Sequence, residues 1–196
     1  MCASVAAVVL VAVLVTSGGG GSVGEPAPPG TVSITRASGP PLEPGEAVPD
    51  WSAPALDGSG RIRWSDLVGT PTVLTVWAPW CPHCQAELPR LVQALAQHPR
   101  VDLVTISTAV ERSTAFTSQG YLDSVGLDIP VAIDDANLTL HEGFGVAGFP
   151  TVYFVNADGT VQRYAEGEIG LQPDDSIDPG ILEAMLGELE GANPPV

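Results

Sequence analysis

Two cysteines spaced two residues apart, Cys81 and Cys84, are the residues of this chain best suited to chemistry. They follow an apolar run at 72–77 with the composition of a buried strand, and they precede a helical pattern beginning at Pro82. Cys81 therefore falls at a helix N-terminus, where unpaired N–H groups and the helix dipole stabilise the reactive thiolate. The pattern predicts a redox-active disulfide in which Cys81, the more exposed sulfur, attacks and Cys84 resolves the mixed disulfide.

The same cysteines could instead form half of a zinc site, which needs four ligands. The remaining candidates are Cys2 and the three histidines, His83, His98 and His141. His83 lies between the two cysteines and cannot easily share their metal. We therefore predict redox chemistry without a metal or an organic cofactor, and we interpret His98 and His141 as structural residues.

A second group of signals lies further along the chain. Residues 148–151 have the sequence Gly-Phe-Pro-Thr and precede a β run at 152–155, and a turn at 156–159 leads into a returning strand at 161–164. Together with Glu87, three residues beyond Cys84, this arrangement resembles the thioredoxin superfamily. Within it, the chain resembles the extracytoplasmic TlpA-like, or DsbE-like, thiol–disulfide oxidoreductases, from about residue 49 to about residue 190.

The resemblance implies a thioredoxin-like α/β fold, in which helices flank a central mixed sheet and a short N-terminal hairpin precedes the first core strand. A strand is expected at 101–107. The block at 111–144, with a helix, a short strand and a second helix or irregular stretch, is similar to the TlpA-like insertion. Asp178 and Pro179 are typical of the N-cap and first residue of a final helix.

The resemblance also implies roles for side chains near the cysteines. Glu87 matches a glutamate that accepts the proton of the buried cysteine, whereas plain thioredoxin has an acidic residue at the position of Thr75. Pro150 matches the family's cis-proline, and the backbone of Phe149 would pair with an extended substrate segment. Trp80 is expected to line the substrate-binding side of the site.

The direction of electron flow stays open in the sequence. His83 can stabilise the Cys81 thiolate, and the Pro82–His83 dipeptide is similar to that of DsbA, which favours an oxidant in disulfide formation. The TlpA-like resemblance favours a reductant, for example in cytochrome c maturation. Partners would be protein thiols or disulfides and a membrane redox protein that recycles the enzyme.

Two other functions are compatible with parts of the pattern. The segment that begins at Asp50 also resembles peroxiredoxins, which are thiol peroxidases. Those proteins use a Thr-x-x-Cys site, and Pro82–His83 between two cysteines does not match it. The other alternative is a non-catalytic haem or metal chaperone that uses the same dithiol.

The N-terminal region predicts export. The apolar run at 3–15 is shorter than the about 20 residues that span a bilayer and has the length of a signal-peptide core, although no Arg or Lys precedes it. We expect a signal peptide or membrane anchor at 1–17, a Gly/Pro-rich linker at 18–49, a thioredoxin-like domain at 50–190 and a tail at 191–196. The predicted location is the periplasm, cell envelope or extracellular space, with or without a tether to the outer face of the cytoplasmic membrane.

The composition argues against nucleic-acid binding. The chain has 196 residues, a net charge of −16 and seven basic residues, all arginine. So acidic a protein is a poor candidate for nucleic acid or for an anionic membrane surface. We expect a monomer with one globular core.

Overall fold

The computed structural model describes residues 30–109 and 116–193. Its strands and helices are β1 (Ser33–Ile34), β2 (Trp51–Pro54), β3 (Arg61–Arg63), β4 (Thr72–Trp77), α1 (Pro82–Leu95), β5 (Asp102–Ser107), α2 (Ser118–Val125), β6 (Val131–Ile133), α3 (Thr139–Phe144), β7 (Thr151–Val155), β8 (Val161–Glu166) and α4 (Pro179–Ala192). Four strands precede the first α-helix, and from there strands and helices follow one another, except that β7 is followed directly by β8. The predicted leader at 1–17 lies outside the described residues, as do residues 111–115 at the start of the block expected at 111–144.

The strands form two sheets. β1, β2 and β3 make a small antiparallel sheet, and the other five make a mixed sheet in the order β6–β5–β4–β7–β8. β4, β5 and β6 run parallel to one another, whereas β7 and β8 are antiparallel to their neighbours. This architecture confirms the predicted α/β fold with a central mixed sheet flanked by helices.

β4 is the middle strand of the five-stranded sheet, and all six of its residues are buried. Its continuous apolar run suits a strand covered on both faces. Val73 and Trp77 lie in the core cluster that includes α1 and α4, while Leu74 and Val76 lie in the cluster on the other side of the sheet. Four residues separate the end of β4 at Trp77 from the start of α1 at Pro82, so the cysteine pair lies at the carboxyl end of the central strand.

α1 contains a proline whose missing N–H is compensated by a neighbouring helix. Pro89 lies inside α1, so the carbonyl of Gln85, four residues earlier, has no intrahelical donor. The hydroxyl of Tyr121 in α2 donates to this carbonyl at 2.7 Å. α2 thereby attaches to the second turn of α1, next to the cysteine pair.

The described residues before Asp50, which lie in the expected linker at 18–49, are folded against the domain. β1 pairs with β2, and Leu42 is 2% exposed and donates its N–H to the hydroxyl of Tyr153. Gly145, with φ +66°, permits a close approach, because a Cβ there would lie 2.2 Å from the carbonyl oxygen of Pro40. Isolated apolar residues between prolines have no periodicity, so the sequence pattern did not indicate this packing.

α4 has the start that its sequence predicts. The side chain of Asp178 caps the helix by accepting from the Gly180 N–H at 2.9 Å, and Pro179 is its first residue. Its buried apolar side is formed by Leu182, Leu186 and Leu189. No helix within 30–109 and 116–193 combines the length and apolar character needed to cross a membrane.

The side chain of Asp134 links the ends of β5 and β6 to α3, the helix that precedes the Phe149–Pro150 loop. Its buried carboxylate accepts hydrogen bonds from the Thr108 hydroxyl at 2.7 Å and from the backbone N–H groups of Leu140 and His141 at 2.8 and 3.0 Å. It also accepts from the Asp135 N–H at 2.9 Å. The carboxylate therefore connects the end of β5 with the end of β6 and the first turn of α3.

Replacing Asp134 should destabilise the fold strongly, because four donors would lose their acceptor. We expect Asp134→Ala to lower the free energy of unfolding by about 3 kcal/mol, with Asp134→Asn intermediate because one acceptor oxygen remains. Urea unfolding followed by tryptophan fluorescence measures this, with the exposed Asp128→Ala as a matched control. An equal effect of the two alanine variants would contradict the structural role of Asp134.

Candidate active site

The two cysteines differ in environment. Cys81 is the N-cap of α1 and is 6% exposed, whereas Cys84 is fully buried. Both are free thiols, and the Cys81 sulfur lies 3.9 Å from the carbonyl oxygen of Phe149. Cys81 is thus the more exposed sulfur, as expected, but the loop that contains Phe149 covers most of it.

Burial raises the pKa of the Cys84 thiol far above its ordinary range, and the neighbouring Cys81 adds to this effect. Desolvation disfavours the thiolate, since a charge in an apolar surrounding has lost its water. Cys84 therefore keeps its proton at neutral pH. Any attack by this sulfur requires a group that removes the proton.

Glu87 lies one helical turn beyond Cys84 on the buried face of α1 and is fully buried itself. Burial raises the pKa of Glu87 from its ordinary 4.5 to about 7, the Arg90 guanidinium opposes this shift, and the Glu168 carboxylate adds to it. Oε2 of Glu87 accepts from Arg90 at 2.7 Å, while Oε1 is buried without a hydrogen-bond partner among the described residues. The carboxyl group can thus hold or release a proton near neutral pH, which suits the proton acceptor that the resemblance implied.

Thr75 occupies the position of the acidic residue of plain thioredoxin. It is fully buried, and its hydroxyl lacks a partner within 30–109 and 116–193. A neutral hydroxyl cannot take the place of a carboxylate as proton acceptor.

His83 contacts a residue that the sequence did not single out. Nδ1 of its imidazole lies 2.6 Å from Oε1 of Glu168, in the loop after β8, and the His83 side chain is 58% exposed. The expected action of His83 on the Cys81 thiolate stays a prediction. Glu168 was missed because no local pattern connects it to a histidine 85 residues away.

The loop at 167–170 is held between the cis-proline and α1. The N–H of Gly167 donates to the carbonyl of Pro150 at 2.8 Å, and Arg90 donates to the carbonyl of Ile169 at 2.8 Å. Arg90 thereby contacts both this loop and Glu87. The loop forms one wall of the cysteine site.

Aromatic rings form another side of the site. The Phe149–Pro150 peptide bond is cis, as the resemblance implied. The ring of Phe149 lies edge-on to Trp80 at 5.8 Å and to His141 at 5.6 Å, and Trp80 Nε1 donates to the carbonyl of Ala109 at 2.8 Å. The structure thus brings Trp80, Phe149 and Pro150 together around Cys81, and it adds His141, which the sequence analysis had interpreted as structural.

The described part of the chain does not contain the cluster of ligands that the alternative zinc site would need. Within 30–109 and 116–193, no group of three or more His, Cys, Asp or Glu side chains is placed to hold a metal ion. His98 instead contacts Glu190 at 3.0 Å and Glu183 at 3.3 Å, which ties the end of α1 to α4. Cys2 lies outside the described residues.

Comparison with known proteins identifies the family. Residues 44–164 match the model of the AhpC/TSA family. This chain belongs to that family. The thiol–disulfide oxidoreductase ResA of Oceanobacillus iheyensis is 25% identical over 130 residues, which cover 65% of this chain and 67% of ResA. The thiol:disulfide interchange protein DsbE of Escherichia coli K12 is 30% identical over 127 residues, which cover 64% of this chain and 66% of DsbE.

A solved structure agrees with these relatives. The crystal structure of a secreted Mycobacterium tuberculosis disulfide oxidoreductase, described as homologous to E. coli DsbE, superposes with a TM-score of 0.57 and 28% identity. The superposition covers 70% of this chain and 95% of that one. The expected class, a DsbE-like or TlpA-like thiol–disulfide oxidoreductase of the thioredoxin superfamily, is confirmed. The matched stretches span about two thirds of the two curated relatives' own lengths.

The raised pKa of Glu87 predicts a pH dependence of stability. The folded-state pKa of about 7 exceeds the ordinary 4.5, so the unfolded chain releases this proton at a lower pH than the folded protein does. The stability that protonated Glu87 gives to the folded state is therefore lost as pH rises from about 4.5 to 7. We expect reduced wild-type protein to lose on the order of 3 kcal/mol more than Glu87→Gln between pH 4.5 and 8. Urea unfolding at both pH values measures this difference, and parallel pH profiles for the two proteins would contradict it.

Proposed function

We propose that this protein is an exported oxidoreductase that reduces disulfides of other proteins through Cys81 and Cys84. The observation that carries the proposal is the pairing of a nearly covered Cys81 at a helix N-terminus with a fully buried Cys84, one turn from a buried carboxyl group. This arrangement gives one sulfur for attack on a substrate and a second that reacts only within the molecule.

The reaction proceeds in two exchanges. The Cys81 thiolate attacks one sulfur of the substrate disulfide, the substrate S–S bond breaks, and the other substrate sulfur leaves and takes up a proton. Cys84 then gives its proton to the Glu87 carboxylate and attacks Cys81, and the mixed disulfide breaks. The substrate gains two electrons and two protons, and the enzyme is left with a Cys81–Cys84 disulfide.

The charges around the dithiol favour reduction over oxidation. A disulfide becomes strongly oxidising when its reduced form is stabilised, chiefly by stabilising a thiolate. Here burial keeps Cys84 as a thiol, and the carboxyl group of Glu87 lies one helical turn further along the same buried face of α1. His83 is engaged with Glu168, so the similarity of Pro82–His83 to DsbA does not by itself bring an unpaired positive charge to Cys81.

The substrate surface is proposed to lie along the Phe149–Pro150 loop. The carbonyl of Phe149 faces Cys81, and the half-buried rings of Trp80 and His141 flank the Phe149 ring. An extended segment containing the substrate cysteine could lie across these rings and use the Phe149 backbone. Aromatic and apolar residues beside that cysteine would suit this surface.

Export is proposed from the apolar run at 3–15 and from the likeness to a secreted mycobacterial oxidoreductase. Disulfides form and persist in proteins outside the cytoplasm, so an exported enzyme of this kind would meet its substrates there. A membrane redox protein would return the Cys81–Cys84 disulfide to the dithiol.

The reduction potential of the cysteine pair tests the direction. We expect a value closer to thioredoxin's, about −270 mV, than to DsbA's, about −120 mV, because burial disfavours the thiolate of Cys84. Equilibration of a Cys2→Ser variant with glutathione buffers, followed by tryptophan fluorescence, gives the value. A potential near −120 mV would make the protein an oxidant and overturn the proposed direction.

Trapping tests the roles of the two sulfurs. In a Cys2→Ser background, Cys84→Ser should accumulate a mixed disulfide with an oxidised substrate such as insulin, because no second thiol resolves it. Cys81→Ser should form none, since the remaining sulfur is fully buried. Non-reducing gels with mass spectrometry read out both, and insulin turnover by the parent separates an enzyme from a non-catalytic chaperone. Consumption of hydrogen peroxide at a comparable rate would instead favour the thiol peroxidase.

A further inference from the structure

We propose that Glu168 and His83 form a carboxylate–imidazole pair that carries the proton of the substrate sulfur. Glu168 is the positioning residue, and Nε2 of His83 is the atom that gives and takes the proton. The inference rests on the proposed function, and it assigns a second proton site to the same reaction.

The hydrogen bond between the two side chains decides which imidazole nitrogen is free. An ionised carboxylate can only accept, so Nδ1 of His83 must carry the hydrogen in the 2.6 Å contact with Glu168. In the neutral imidazole, Nε2 is then the acceptor. The side chain of His83 is 58% exposed and that of Glu168 is 12% exposed. The carboxylate end of the pair is therefore largely buried, whereas the imidazole is accessible to solvent.

The backbone around Glu168 holds the carboxylate in place. Gly167 donates to Pro150, Arg90 donates to the Ile169 carbonyl, and the Asp178 N–H donates to the Gly170 carbonyl at 2.9 Å. Glu168 therefore projects from a loop that is fixed on both sides. His83 lies in the first turn of α1, two residues after Cys81, and its side chain is exposed.

The charged groups near the pair divide into two sites. Glu87 and Arg90 lie on the buried side of α1, beneath Cys84. Glu168 lies in the loop after β8 and pairs with His83, whose ring is open to solvent. The inner carboxyl group serves Cys84, which has no access to solvent, and the outer pair serves the sulfur of the substrate.

The protons balance across the reaction. Nε2 takes the proton of the Cys81 thiol, directly or through one water, as that sulfur becomes the attacking thiolate. The imidazolium then gives this proton to the substrate sulfur that leaves as the S–S bond breaks. In the opposite direction, the same nitrogen accepts the proton of a substrate thiol, and no other reactant is needed.

The dependence of the rate on the leaving sulfur tests the proposal. In a Cys2→Ser background, reduced protein is mixed with bis(2-hydroxyethyl) disulfide, whose leaving thiolate is strongly basic. It is also mixed with 2,2′-dithiodipyridine, whose leaving sulfur needs no proton. We expect Glu168→Gln to slow the first reaction roughly ten-fold or more and the second less than about two-fold. Stopped-flow tryptophan fluorescence gives both rate constants.

Two further variants separate a proton carrier from a structural role. Glu166→Gln removes the same charge from an exposed residue two positions away and should change either rate less than about two-fold. His83→Gln alters an exposed side chain and should reproduce the Glu168→Gln loss, and the double variant should be no slower than either. At neutral pH, only proteins that retain both residues should show the faster reaction with bis(2-hydroxyethyl) disulfide.

The outcomes are distinct. The proton role would be overturned if Glu168→Gln slowed the reactions with both disulfides equally. It would also be overturned if Glu168→Gln slowed the reaction as much in the His83→Gln background as in the parent. If Glu168→Gln does not fold, the His83→Gln rates decide the question alone. Failure of the parent protein to react with either disulfide would overturn the proposed function instead.

Discussion

The burial of two proton-bearing groups on one face of α1 is the constraint on which the site depends. Cys84 and Glu87 are both fully buried, and desolvation disfavours the charged form of each. The second exchange must move a proton between groups that water does not reach. A carboxyl group with a pKa of about 7 suits this task, because neither of its protonation states is strongly preferred at neutral pH.

The helix that carries these groups is held by contacts from distant segments. α2 supplies the Tyr121 hydroxyl that satisfies the carbonyl left free by Pro89, and the loop at 167–170 accepts a hydrogen bond from Arg90. The carbonyl of Phe149 lies over the Cys81 sulfur. The chemistry thus belongs to one helix, while its geometry is set by three segments that follow it in the chain.

Features with local signals could be predicted from the sequence. The apolar run of β4, the start of α1 at Pro82 and the Asp178 cap are each specified within a few residues. The hydrogen bond between His83 and Glu168 depends on where the loop after β8 meets α1. Nothing in the sequence around Glu168 distinguishes it from any other surface carboxylate. Asp134 and Leu42 were missed for the same reason, since their burial results from tertiary packing rather than from periodicity.

The guanidinium of Arg90 has a consequence for communication across the site. It donates at once to Oε2 of Glu87 and to the carbonyl of Ile169, the neighbour of Glu168. A proton arriving on Glu87 weakens one of these two bonds, so the protonation of the interior carboxyl group and the strength of the contact that fixes the loop are linked equilibria. Such linkage is reciprocal: a substrate that contacts the loop would alter the proton affinity of a carboxyl group it never touches. One arginine therefore lets the protein's interior respond to an event at its surface.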